Sequence, residues 1–258
     1  MRIFGSALIV AALLGAGCGD PDESAAKQEP KGDTAAVTAA RIDSVMTAPV
    51  APLPEAPANL AADSVPLRAP NGEPARYGLA SGEIVQRFTG SSAGNRRIVF
   101  DRYGMRERRE ENMAPSPGSK GAINNIISIA TPEENAYADI RSKRGWKRKN
   151  EGTGRYLASP ESKTMSLAEY VVHTSGAERL PDTTIAGYHC KVLRKEVKGL
   201  VITNWIWRGI VIREHMISRS DGQEYFIEPV SITPDVAVSD TTFQFPAGYQ
   251  VDTYVPGK

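Results

Sequence analysis

Gly90-Ser91-Ser92-Ala93-Gly94 spells the G-x-S-x-G pattern of a nucleophilic serine. That chemistry needs the serine on a sharp strand-to-helix turn with its hydroxyl exposed. Residues 95–100, Asn-Arg-Arg-Ile-Val-Phe, follow with a strand-like pattern, so a hairpin loop is expected here and the serine is expected to be unreactive. His189 stands beside Cys190, but neighbours along a strand point to opposite faces, which separates a thiol from its base. His173, His189 and His215 lie far apart, without H-x-x-x-H or paired-cysteine spacing, so no metal site is expected. Glu110-Glu111 and Glu133-Glu134 fail as paired carboxylates by the same alternation. The chain is expected to be non-catalytic, with no metal and no cofactor.

Binding chemistry is better represented. Lys143, Arg144, Lys147, Arg148 and Lys149 surround Trp146, five cations about one aromatic ring. Such a segment suits anionic headgroups, with the indole at the apolar boundary, or forms a solvated hairpin tip. A formal net charge of +1 gives no global bias toward nucleic acid, and no nucleic-acid partner is expected.

The beginning of the chain sets its surroundings. Arg2 is followed by an apolar run over residues 3–14 and then Gly15-Ala16-Gly17-Cys18, the layout of a bacterial lipoprotein signal. The run is shorter than the ~20 residues a spanning helix needs, so residues 1–17 are expected to be removed and Cys18 acylated. Several acyl chains, at ~0.8 kcal/mol per buried methylene, anchor a protein stably. From Gly19 to Arg76 there is no Phe, Tyr or Trp, while nine of the eighteen prolines fall there. Such a stretch cannot bury enough apolar surface to offset its backbone entropy, and residues 18–76 are expected to be a disordered tether. Once Cys18 is acylated, Cys190 is the only thiol left, and its apolar-alternating surroundings point to burial.

Residues 77–258 are expected to fold as one β-rich domain. Runs at 187–197, 200–207, 210–218 and 223–232 are rich in β-branched and aromatic residues. They are separated by Lys198-Gly199, Arg208-Gly209 and Ser220-Asp221-Gly222, which signals consecutive antiparallel hairpins. Weaker strands are expected at 82–89, 96–101, 105–112, 123–130 and 136–141; the Arg/Glu alternation around Arg106 to Arg109 suggests a solvated hairpin. Ser166-Leu167-Ala168-Glu169 matches a capping box, which predicts a short helix over 166–174 that Gly176 ends. In the run at 200–207 both parities are apolar, so that strand is expected to be covered on both sides. Val201, Trp205 and Trp207 share one parity and, with Ile212 and Tyr225, are the candidate wall of a ligand cavity.

The residues 185–190 (Ile-Ala-Gly-Tyr-His-Cys), the turn at 205–210 and the 243–249 stretch Phe-Gln-Phe-Pro-Ala-Gly-Tyr resemble a group of uncharacterised secreted bacterial lipoproteins with a LolA/LolB-like domain, of the lipoprotein-carrier superfamily. Ser81 to Val85 and Phe100 to Met105 fit the same group. The resemblance implies a mainly β (α+β) fold: a curved antiparallel sheet or half-barrel meander covered by one or two short helices, with a concavity able to hold acyl chains. The expected function is therefore a cell-envelope lipoprotein, anchored on the periplasmic side, whose domain binds a hydrophobic or amphipathic ligand. The alternative is an interaction module that docks another envelope protein. Gly19 and Asp20 after the cysteine favour the outer over the inner membrane by resemblance to known sorting rules.

Overall fold

Two runs of hairpins meet along one seam. In the computed structural model, which describes residues 55–56, 64–119 and 123–254, the first run is β1 (Gly82–Gly90), β2 (Ser92–Asp101), β3 (Arg106–Pro115), β4 (Asn124–Ala130), β5 (Glu134–Asp139) and β6 (Arg144–Lys149). Helices α1 (Glu151–Ala158) and α2 (Leu167–Thr174) follow. The second run is β7 (Glu178–Ile185), β8 (Tyr188–Val197), β9 (Leu200–Trp207), β10 (Ile210–Ser218) and β11 (Glu224–Pro234), with β12 (Gln250–Thr253) last. The sheet order is β12-β6-β5-β4-β3-β2-β1-β11-β10-β9-β8-β7, so the seam is the pairing of β1 with β11. Each neighbouring pair is antiparallel except β12 with β6. The fold class is mainly β, a curved antiparallel sheet with short helices, as expected. The expected signal, Cys18 and most of the expected tether lie outside the described residues.

Turn chemistry explains the second run. Ala186-Gly187, Lys198-Gly199 and Arg208-Gly209 each have positive φ at both residues, the type I′ geometry whose twist matches paired strands. At the last of these, Gly209 is required by space as well, because a Cβ would sit 2.3 Å from the Arg76 carbonyl oxygen and 3.1 Å from the Ala168 Cβ of α2. Ser166 caps α2, accepting from the Glu169 amide while the Glu169 carboxylate accepts from the Ser166 amide, the reciprocal box its spacing predicts.

The sheet bends where β10 leaves β11. β10 pairs with β9 along its length, yet its ladder with β11 covers only Glu214 to Ile217, and a bulge falls between Val211 and Arg213. The carbonyls freed there are taken by a side chain from beyond β11: Gln86 Nε2 of β1 donates to Val211 O at 3.0 Å and Ile212 O at 2.9 Å. Bulges concentrate curvature in this way. The bend lets Ile84, Ile98 and Phe100 meet Tyr188, Trp207, Ile210 and Ile212 in one buried cluster, while Phe88, Met113, Ile202, Met216 and Ile227 form a second.

Three expectations change. The basic run at 144–149 is a strand inside the sheet rather than a hairpin tip, since β5 and β12 satisfy its backbone on both sides. The Arg/Glu alternation of β3 is not solvated: Glu107, Arg108 and Glu111 are buried, because each finds an oppositely charged partner. Ordered packing also begins before residue 77. Ala69 and Ala75 are buried, Arg68 bridges to Pro74, and the Arg68 guanidinium donates to Ser162 O at 3.0 Å. Small alanines fill that space without any aromatic to advertise it.

Candidate binding surface

Register carries one face of the sheet from the core out to its edge. Cross-strand partners share a face, and the pairings Arg109↔Ser128, Ser128↔Tyr137 and Tyr137↔Trp146 form a row from β3 to β6. The same face carries Gln86, Arg96 and Glu111, which also pair in register. We call it the inner face. The opposite face of β4 and β5 is covered by the segment after β11, where Phe243, Phe245 and Tyr249 pack on Ile127 and Ile129.

At the edge of the inner face, Trp146 lies between Tyr137, ring centroids 4.7 Å apart, and Tyr254 at 5.7 Å, with the Arg148 guanidinium 5.6 Å from its ring centre. Trp146 is 38% exposed and Tyr254 46%. Alternation divides the basic run. Arg144 and Arg148 share the parity of Trp146, whereas Lys147 and Lys149 pair with Ala136 and Glu134 on the other face, and Lys147 Nζ lies 3.0 Å from the Glu134 carboxylate. Lys143, with φ +55°, occupies the preceding turn. Of the six candidate headgroup residues, the structure brings Arg144, Trp146 and Arg148 together.

Inward along the row the surface becomes a buried ionic cluster. Glu107 accepts from the Tyr77 hydroxyl and from Arg109 Nη2 at 2.9 Å, with Arg76 Nη2 at 3.6 Å. Burial alone would raise the Glu107 carboxyl; the charges of Arg109 and Arg76 and the two hydrogen bonds outweigh it and hold the pKa at about 2. Burial, with the facing carboxylate, pushes the Tyr77 phenol up. Burial also raises the Tyr137 phenol, against the pull of Arg109 and Arg148. Arg96 Nε donates to Glu111 at 2.7 Å, and Asn124 donates to the other Glu111 oxygen at 2.7 Å. Sequence reasoning missed this cluster. The Arg and Glu residues of β3 were visible, but only the register shows which partners face them.

The candidate cavity residues fall into three places. Trp207 and Ile212 are fully buried in the first core cluster, Trp207 edge-on to Tyr188 at 4.8 Å, and Trp205 packs at its margin under the Arg213 guanidinium. Tyr225 borders the second cluster and donates to Gln223 at 2.6 Å. Val201 floors a shallow polar groove with Gly176, Glu178, Arg194, Lys195 and Glu196. The five do not line one described cavity. Ser92 is buried at the start of β2, a strand-to-strand turn. His189 is exposed while Cys190 is buried, as alternation requires. Among the described residues no His, Cys, Asp and Glu group has metal-site geometry.

No protein-family model matches this chain, and a search of curated proteins finds no match. Solved structures similar to it match at low sequence identity. An uncharacterised conserved protein from Thermus thermophilus is 9% identical over 68% of this chain and 91% of its own, with a TM-score of 0.44. MucB, in the MucA/MucB complex of Pseudomonas aeruginosa, is 10% identical over 65% and 56%, with a TM-score of 0.36. A putative outer membrane lipoprotein-sorting protein domain from Vibrio parahaemolyticus is 8% identical over 64% and 89%, with a TM-score of 0.31.

Proposed function

We propose that this chain is a non-catalytic lipoprotein of the bacterial envelope, acylated at Cys18 on the periplasmic side of the outer membrane, and that its domain binds an anionic amphiphile by the headgroup on the Trp146 face of β6. The observation that carries this reading is the parity of β6, which sets Arg144, Trp146 and Arg148 on one face beside Tyr137 and leaves the indole in part open to solvent. Arginine offers a planar fork of donors to a phosphate or carboxylate, and the exposed rings suit the boundary below a headgroup. The interior supports an acyl-chain cavity less well, because Trp207 and Ile212 are spent on packing the bend. A tether at Cys18 keeps the domain near lipid, so each contact need be only weak.

The test is flotation of the chain lacking residues 1–18 with vesicles of phosphatidylglycerol or of phosphatidylcholine. Binding to the anionic vesicles, weakened by salt and lost when Arg144 and Arg148 are both changed to Glu, is expected. Equal behaviour on both lipids, or of both proteins, overturns the reading.

A further inference from the structure

Read along the strands, the inner face alternates apolar, polar, apolar. On β1 the order is Phe88, Gln86, Ile84; on β10 it is Met216, Glu214, Ile212; on β9 it is Ile202 and Asn204, and beyond the bulge Trp207 joins Ile84 and Ile212 in the first cluster. Gln86, Glu214 and Asn204 are 0%, 2% and 3% exposed, enclosed between the two core clusters. Each has one oxygen without a hydrogen-bond partner: Gln86 Oε1, Asn204 Oδ1 and Glu214 Oε1.

All three atoms are acceptors. The Gln86 amide cannot be turned to supply a donor, because its nitrogen is held by Val211 O and Ile212 O and reversal would set oxygen against both carbonyls. Asn204 and Glu214 are cross-strand partners on the same face, and Gln86 grips the chain two residues before Glu214. Buried acceptors left without donors are costly and rare.

We infer that Glu214 is a buried proton-binding site, whose carboxylic hydrogen supplies the donor this layer lacks by bonding Asn204 or Gln86. One proton converts an acceptor into a donor and gives two of the three oxygens a partner. The charged groups facing Glu214 are Arg96 from β2 and Arg109 and Glu111 from β3, with Asn204 on β9, Gln86 on β1 and its cross-strand partner Ile227 on β11 completing its surroundings. Arg96 and Arg109 favour the ionised form; both are ion-paired, to Glu111 and Glu107, and Arg109 Nε, one level away opposite Ile98, is a buried donor without a hydrogen-bond partner. Desolvation raises the Glu214 carboxyl in agreement with the geometry. Loss of the proton sets a carboxylate against two amide oxygens at the corner where β1 holds β10, so the bend is tightest when Glu214 is protonated.

With its folded-state pKa above the unfolded value, Glu214 adds stability that is complete below about pH 4.5 and is lost as pH rises through the folded value. The test is carbon-13 NMR of the full chain labelled at glutamate carboxyls. One resonance that stays at the protonated position after the other glutamates have ionised, absent from Glu214→Gln, is expected. In the same window the midpoint of wild type should fall relative to that of E214Q by about 3–5 °C per pH unit. Ionisation of every glutamate together in the ordinary carboxylate range overturns the inference from wild type alone, even if E214Q does not fold. A Tm gap independent of pH overturns it as well.

Discussion

The Tyr77 hydroxyl donates to the Glu107 carboxylate across thirty positions of chain, joining the strand-free segment before β1 to the start of β3. Both groups are buried, and Arg109 and Arg76 share the same carboxylate. Tyr77 also packs edge-on to Phe100 at 4.9 Å, so one residue seals the apolar cluster and completes the ionic one.

Glu107 should govern acid unfolding. Its folded-state pKa of about 2 lies below the ordinary 4.5, so it contributes about 3 kcal/mol above pH 4.5 that is lost as pH falls toward 2. Denaturant titrations between pH 5 and about 2.5 should show a shallower loss in Glu107→Gln, from a lower starting stability.

Glu111→Leu should leave Arg96, 2% exposed, without its anion and Asn124 without its acceptor. A loss of about 3–5 kcal/mol is expected. The double replacement Arg96→Met with Glu111→Leu should recover much of it, which a double-mutant cycle by chemical denaturation will read.

Gly104 has φ +79°, and a Cβ there would lie 2.3 Å from the Tyr77 ring. Gly222, with φ +67°, has nothing within 4 Å. Alanine at 222 should cost only the left-handed strain, about 1–2 kcal/mol, and alanine at 104 clearly more. The difference between the two unfolding midpoints measures how firmly Tyr77 is seated.

Alternation on β6 makes a sharp prediction for binding. Arg148→Glu should weaken association with anionic vesicles by about tenfold or more, and Lys149→Glu, on the other face, by about threefold or less. Equal losses would mean that net charge, not the Trp146 face, determines binding.

Much of the second hairpin run was legible because its signals are local. The strands at 200–207 and 210–218 fall where β-branched runs and Gly turns place them, and the capping box marks α2 to within a residue. What could not be read depends on partners distant in sequence. β6 is four cations, a glycine and a tryptophan, a poor strand by composition, yet β5 and β12 give its backbone a ladder. β7 is mostly exposed and interrupted by Pro181, and α1 carries two glycines, so neither has the apolar rhythm that identifies an element. The polar members of the inner layer look like ordinary surface residues until the bend at Val211 encloses them. Trp205 and Trp207 share a parity, as read, but the bulge opposite them carries Trp207 into the core and leaves Trp205 at its margin.

The layer of Gln86, Arg96, Glu111, Asn204 and Glu214 between two apolar clusters has a consequence for how the chain finds its pairing. Sliding β2 by two residues between β1 and β3 would keep every side chain on its face, and apolar packing alone would tolerate it. The slide would instead set Arg96 opposite Phe88 or Ile84 and part it from Glu111, stranding charges among hydrocarbon. Polar residues at a single level thus act as an alignment key, excluding shifted sheets that the greasy levels above and below would accept.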